Sequence, residues 1–230
     1  LLLRFRQSIL KAHALSFCDA FRSDFKWRGE ENVEGIDIML AMDVSTSMSA
    51  LDITPDRMKV AKDVADADVI IVIGGISAQM EGEGGDKATI ELPEVQQGLI
   101  RAMHATGKPV VVVNCSGSAM AFGSLQGQYD ALIQAWYPGQ GGSQALAEVI
   151  FGDHNPGGKL PITFYASNDD LPDFLDYSME NRTYRYFRGT PLYAFGYGLS
   201  YTTFEVGNGK ISKKSMNTDG SVTVTIPVTN

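Results

Sequence analysis

The chain has 230 residues, with 19 Lys plus Arg against 27 Asp plus Glu and a formal net charge of −8. So acidic a chain lacks the clustered Lys and Arg with which proteins hold DNA or RNA, and 44 % hydrophobic content with 10 % aromatics argues against disorder throughout. Cys18 and Cys115 make neither a disulfide framework nor a C-x-x-C motif, and no apolar run reaches the roughly 20 residues of a membrane span.

Residues 1–33 carry no recognisable chemistry. LLLRFRQSILKAHALSFCDAF reads as an amphipathic helix followed by a polar connector. IDIMLAMD, Ile36 to Asp43, is short and apolar and reads as a buried strand that ends in a carboxylate. Thr54 and Pro55 suit an N-cap and a first helical residue, and Met58, Val60, Ala61, Val64 and Ala65 follow at helical spacing. DVIIVIGG, Asp68 to Gly75, is a β-branched run closed by two glycines and predicts the strongest strand. An acidic, glycine-rich loop over 76–90 comes next. A helix is expected from near Pro93 to Gly107, with Pro109 just beyond it. PVVVVNCSGSA predicts a strand entering a turn of small residues, and YDALIQAWYPGQGG another strand before a glycine-rich loop. SQALAEVIFGD predicts a helix with Ser143 as its cap, and LPITFY, Leu160 to Tyr165, a further strand. This alternation implies an α/β fold, a mostly parallel sheet flanked by helices. Ligands bind such sheets beyond the C-terminal ends of the strands, where loop 76–90 and Asp43 fall. After Tyr165 the chain turns aromatic and glycine-punctuated. The tail alternates polar and apolar around Asp219–Gly220, as antiparallel strands do.

Several constellations carry candidate chemistry. Glu81, Glu83 and Asp86 lie in EGEGGD, directly after a buried strand. Cleavage of a glycosidic bond needs a carboxyl group that protonates the leaving oxygen, and a flexible loop at a strand end can present one; a solvated acidic loop has the same composition. Asp43, Ser45 and Ser47 form D-x-S-x-S, whose carboxylate and hydroxyls can hold a hard divalent cation or simply cap a turn. NCSGSA offers Cys115 and Ser116, but Asn114 breaks the G-x-S-x-G pattern, which leaves a tight turn. His13, His104 and His154 are scattered and show no zinc spacing. The glycines of GEGG and PGQGG do not complete a phosphate-binding loop. Aromatics over 184–204 read as packing, although such rings also stack on sugars.

The strings DVIIVIGGISAQMEGE, GGDKATIELPEVQQGLI, TGKPVVVVNCSGSA, AWYPGQGGSQALAEVIFGDHNPGGKLPITF and RTYRYF…PLYAFGYGLSYTTFE follow one another over residues 68–205. In that order they resemble the C-terminal α/β sandwich domain of glycoside hydrolase family 3, which includes β-glucosidases and β-xylosidases. The resemblance implies a retaining β-glycosidase acting on β-linked gluco- or xylo-oligosaccharides, with no cofactor. Its acid/base Glu stands in an E-x-E-G-x-D-[RK]-type segment, here Glu81 to Lys87, with Glu81 as first choice and Glu83 as second. The nucleophilic Asp of the family belongs to a (β/α)8 barrel. No such segment precedes residue 68, so this chain is expected to be inactive alone. Residues 206–230 resemble the start of a fibronectin-type-III-like β-sandwich. The resemblance also implies a periplasmic or secreted protein.

Residues 34–67 resemble something else, the opening of a von Willebrand factor A-type domain. There Asp43, Ser45 and Ser47 would be Mg²⁺ ligands of a metal-dependent adhesion site, incomplete in this chain. The two resemblances meet near residues 65–68. Two alternatives therefore stand beside the glycosidase reading: an adhesion-type interaction module, and a carbohydrate-binding remnant without catalysis.

Overall fold

The computed structural model describes residues 38–42, backbone only, together with residues 67–84 and 87–230. Its centre is a four-stranded sheet in the order β1-β2-β3-β4, with every neighbouring pair parallel. The strands are β1 (Ile38–Met42), β2 (Val69–Gly75), β3 (Val110–Cys115) and β4 (Ala131–Gln134). β1 runs within the expected IDIMLAMD segment and pairs Ile38 with Val69 through to Met42 with Ile73.

β2 and β3 are almost wholly Val and Ile because both sheet faces are covered. Side chains alternate between two apolar clusters, as the two-residue period of a strand requires. On one face Ile70, Val72, Val110 and Val112 pack with Ile100, Met120, Phe122 and Leu125. On the other, Val69, Ile71, Ile73 and Val113 pack with Leu146. Helix α1 (Glu94–His104) covers the first face through Ile100, and α2 (Gly142–Ile150) the second through Leu146.

α1 begins at Pro93 as expected, and Gly107 beyond its end has φ 75°, the left-handed conformation that closes helices. α2 differs from expectation. Its N-cap is Gly141, and Ser143 lies inside the helix, buried. The turn Pro138–Gly142, closed by the Gly142 N–H on the Gly139 carbonyl at 3.2 Å, starts the helix before Ser143 can cap it. The segment LPITFY also departs from expectation. It forms no strand, only an isolated antiparallel bridge between Phe164 and Tyr193. Pro161 lacks the N–H that a continuous ladder needs.

Beyond the short helix α3 (Thr183–Tyr186), the tail makes two antiparallel pairs. β5 (Glu205–Val206) pairs with β8 (Val228–Thr229), and β6 (Lys210–Ile211) with β7 (Val224–Thr225). Every residue from 203 to 230 is exposed, so these strands bury no core. The expected helices over 1–21 and 56–67 lie outside the described residues, apart from Ala67.

Phe122 is fully buried and meets Tyr129 edge-on at 6.2 Å between ring centroids. Phe122→Ala is expected to cost about 3–5 kcal/mol of unfolding free energy. Urea denaturation followed by circular dichroism measures it.

Candidate active site

In a parallel sheet all C-terminal strand ends share one edge. Here the loops that leave β2, β3 and β4 converge at that edge on one carboxylate. Glu81 Oε1 accepts from the Gly117 N–H and the Tyr137 hydroxyl, and Oε2 accepts from the Ser118 hydroxyl. Lys87 Nζ stands 3.5 Å from Oε2 and 2.5 Å from Ser118 Oγ, to which it donates. The Glu81 side chain is only 6 % exposed.

Each donor has a local cause. After β3, buried Asn114 donates to Ser116 Oγ at 2.9 Å and to Gln134 Oε1 at 2.7 Å. Ser116, itself fully buried, donates to the Ser118 carbonyl at 2.8 Å. This curls the backbone and leaves the Gly117 N–H and the Ser118 hydroxyl for Glu81. After β4, Trp136 adopts φ 56°, an unusual conformation for an aromatic residue. Its ring packs edge-on against Phe164 at 6.3 Å. The next residue, Tyr137, reaches back over the strand ends, where its hydroxyl lies 3.2 Å from the Ile76 carbonyl as well as against Glu81. A Cβ at Gly117 would come within 2.8 Å of the Tyr137 ring and 2.9 Å of Glu81 Oε1, so any side chain there would displace one of them.

The electrostatics follow from these contacts. Burial alone would push the Glu81 carboxyl up. The hydrogen bonds from Ser118, Tyr137 and Gly117, together with the Lys87 charge, outweigh it and hold the group below its ordinary value. Conversely, the Tyr137 hydroxyl is pushed up to about 12, by burial first and by its bond to Glu81 next. Glu81 is therefore held as an anion.

Glu83 lies two residues further on in an exposed turn, with no hydrogen bond or ion pair among the described residues. Asp86 lies outside the described residues, as do Asp43, Ser45, Ser47 and His13. His104 is half-buried near the end of α1, and His154 is exposed. Among the described residues no group of three or more His, Cys, Asp or Glu is placed to hold a metal ion. Ser116 is sealed from solvent, in keeping with a tight turn. The partners Gly117, Ser118 and Tyr137 were not foreseen. They stand in the strings NCSGSA and AWYPGQGG, but no spacing rule connects those strings to residue 81.

Residues 10–201 match the glycosyl hydrolase family 3 C-terminal domain. The chain belongs to this family. It is 53 % identical over 172 residues to a xylan 1,4-beta-xylosidase of Xylanibacter ruminicola, an alignment covering 70 % of this chain and 20 % of that protein. It is 41 % identical over 176 residues to a periplasmic beta-glucosidase of Salmonella typhimurium, covering 71 % of this chain and 23 % of that protein. Among solved structures it resembles a beta-glucosidase from Kluyveromyces marxianus in complex with glucose, with TM-score 0.64 and 34 % identity over 75 % of this chain and 22 % of that one. The family 3 domain described here thus spans about a fifth to a quarter of the length of the relatives it matches.

The family match includes residues 34–67 and passes the supposed junction near 65–68. It lends no support to a separate von Willebrand factor A-type piece. The backbone agrees with the match, since β1 pairs with β2 over five consecutive residue pairs as a strand of the same sheet.

Two outcomes are expected. Gly117→Ala should lower stability by about 1–3 kcal/mol, the usual cost of overpacking, and calorimetric melting measures it. For Glu81 the sign is fixed by its depressed value. Ionised Glu81 stabilises the fold fully above its ordinary value of 4.5, and that contribution is lost as pH falls through the lower folded value. The melting-temperature gap between the wild type and Glu81→Gln should therefore be widest near neutrality and close in acid.

Proposed function

We propose that this chain supplies the acid/base carboxylate of a retaining β-glycosidase acting on β-linked gluco- or xylo-oligosaccharides, and that Glu83 is that carboxylate. The reading is supported most directly by the contrast between the two glutamates. Both oxygens of Glu81 are already taken by donors from outside the loop. A proton donor must first hold a proton and then approach the leaving oxygen, and Glu81 does neither in this arrangement. Glu83 rides on the same loop and faces solvent. In the first step its proton goes to the glycosidic oxygen as the bond to the sugar breaks and a nucleophilic carboxylate takes the anomeric carbon. In the second step Glu83, now a base, takes a proton from the water that releases the sugar.

The nucleophile comes from a (β/α)8 barrel partner domain, so the 230 residues alone are expected to turn over aryl β-xylosides or β-glucosides negligibly. The names of the Xylanibacter and Salmonella relatives favour a xyloside or glucoside substrate, and the latter a periplasmic or secreted setting. No helix among the described residues is long and apolar enough to cross a membrane.

A chimera tests the assignment. The matched segment of this chain replaces its counterpart in the Xylanibacter xylosidase, and aryl β-xylosides and β-glucosides with poor and good leaving groups are assayed. Glu83→Gln is expected to lower kcat/KM about 10²–10⁴-fold for a leaving group that needs protonation, and far less for an activated one. Equal activity of Glu83→Gln and the parent chimera on both leaving groups rejects Glu83 as the donor.

A further inference from the structure

We propose that Glu81 is a positioning residue, whose carboxylate moors the loop presenting Glu83 to the C-terminal ends of β3 and β4. The inference rests on the reading that this loop carries the proton donor.

The loop has little else to hold it. Residues 82–85 read Gly-Glu-Gly-Gly, which leaves the backbone broad conformational freedom. Among the described residues, the side-chain bonds that tie residues 77–87 to the sheet edge come from Glu81 and Lys87 alone. Both converge on Ser118, so the loop is tied at two points six residues apart. Glu83 lies between them. Fixing these points reduces the entropy that a glycine-rich loop would otherwise lose when its carboxylate meets a substrate.

The mooring uses charge and not shape alone. Three donors from outside the loop, and Lys87 within it, address two oxygens, and each of those oxygens must accept. A glutamine in the same place presents one oxygen, one NH2 group and no charge, so a hydroxyl of Ser118 or Tyr137 would have to turn from donor to acceptor and Lys87 would lose its counter-ion. A protonated Glu81 has the same defect. The structure also keeps space clear for this arrangement at its own cost, with Gly117 lacking a side chain and Trp136 held at φ 56° so that Tyr137 can reach the carboxylate.

Amide hydrogen exchange on the whole 230-residue chain tests the inference without any catalytic turnover. It is read at single-residue resolution between pH 3 and 7 and corrected for intrinsic rates. At pH 7, Glu81→Gln should speed exchange of the Gly117 amide and of residues 80–84 by about tenfold or more, while amides within β2 and β3 keep their protection. Across the titration the wild type should converge on Glu81→Gln as pH falls below the ordinary carboxylate value, and the variant should show no such transition. Merely structural loosening would not produce that pH profile. Should Glu81→Gln also expose the core strands, Tyr137→Phe removes one donor, keeps the ring and should give the same local change on a smaller scale. Loop and Gly117 exchange matching the wild type in both variants overturns the mooring, as does a wild-type profile without the acid transition. The assignment of Glu83 is decided separately by the chimera, so either result can fail alone.

Discussion

The parallel pairing of β2 with β3 is the constraint from which the rest follows. Six residue pairs, Ile70 with Val110 through to Gly75 with Cys115, join two runs of branched apolar residues. Such strands exist only when both faces are covered, so the chain must return over one face with α1 and over the other with α2. Because the pairing is parallel, it also forces the strands to end at one edge. The loops after β2, β3 and β4 meet there without any dedicated scaffold. Convergence of Glu81, Gly117, Ser118 and Tyr137 is thus a property of sheet topology first and of side-chain chemistry second.

Within that edge, polarity is organised in layers. Asn114 Nδ2, Gln134 and Ser116 bond one another beneath the surface and shape the turn after β3, while Asn114 Oδ1 is buried without a partner among the described residues. The turn offers an N–H and a hydroxyl to an anion from a neighbouring loop. Hydrogen bonds in such a low-dielectric turn are directional, and they fix its geometry more firmly than apolar packing can. The same logic explains the division between the two glutamates. Glu81 is locked by donors and held ionised, and Glu83 is exposed to solvent.

Much of this was legible in the sequence. The Val/Ile runs gave β2 and β3, Pro93 and Gly107 bracketed α1, and the loop after DVIIVIGG was marked by its carboxylates. What escaped was set by contacts distant in sequence. Ser143 has the right chemistry for a cap, but glycines upstream had already turned the chain. LPITFY has strand composition, but Pro161 and the distant partner Tyr193 reduce it to a bridge at Phe164. The surroundings of Glu81 and Glu83 could not be separated by spacing, because the residues that bond Glu81 sit 36 to 56 positions further along. The resemblance of residues 34–67 to another family found no support, for a related reason. A short apolar strand ending in a carboxylate is a generic product of parallel sheets, and here it is one more strand of the same sheet.

At the end of β2, the Gln96 amide grips both backbone groups of Gly75, accepting from its N–H at 2.8 Å and donating to its carbonyl at 2.9 Å. Gly75 has φ 134°, and a Cβ there would fall 1.9 Å from the Cys115 carbonyl oxygen. Since Gln96 stands in the first turn of α1, this clasp joins the strand end directly to the helix beginning. The intervening segment is spanned by a bond that does not pass through it. Its endpoints are therefore set independently of its length, and each doubling of such a loop adds only about 0.6 kcal/mol of closure entropy. Length changes between Gly75 and Pro93 are therefore expected to leave the sheet and helix in place where they spare the core side chains Ile76 and Leu92 and the anchor Glu81.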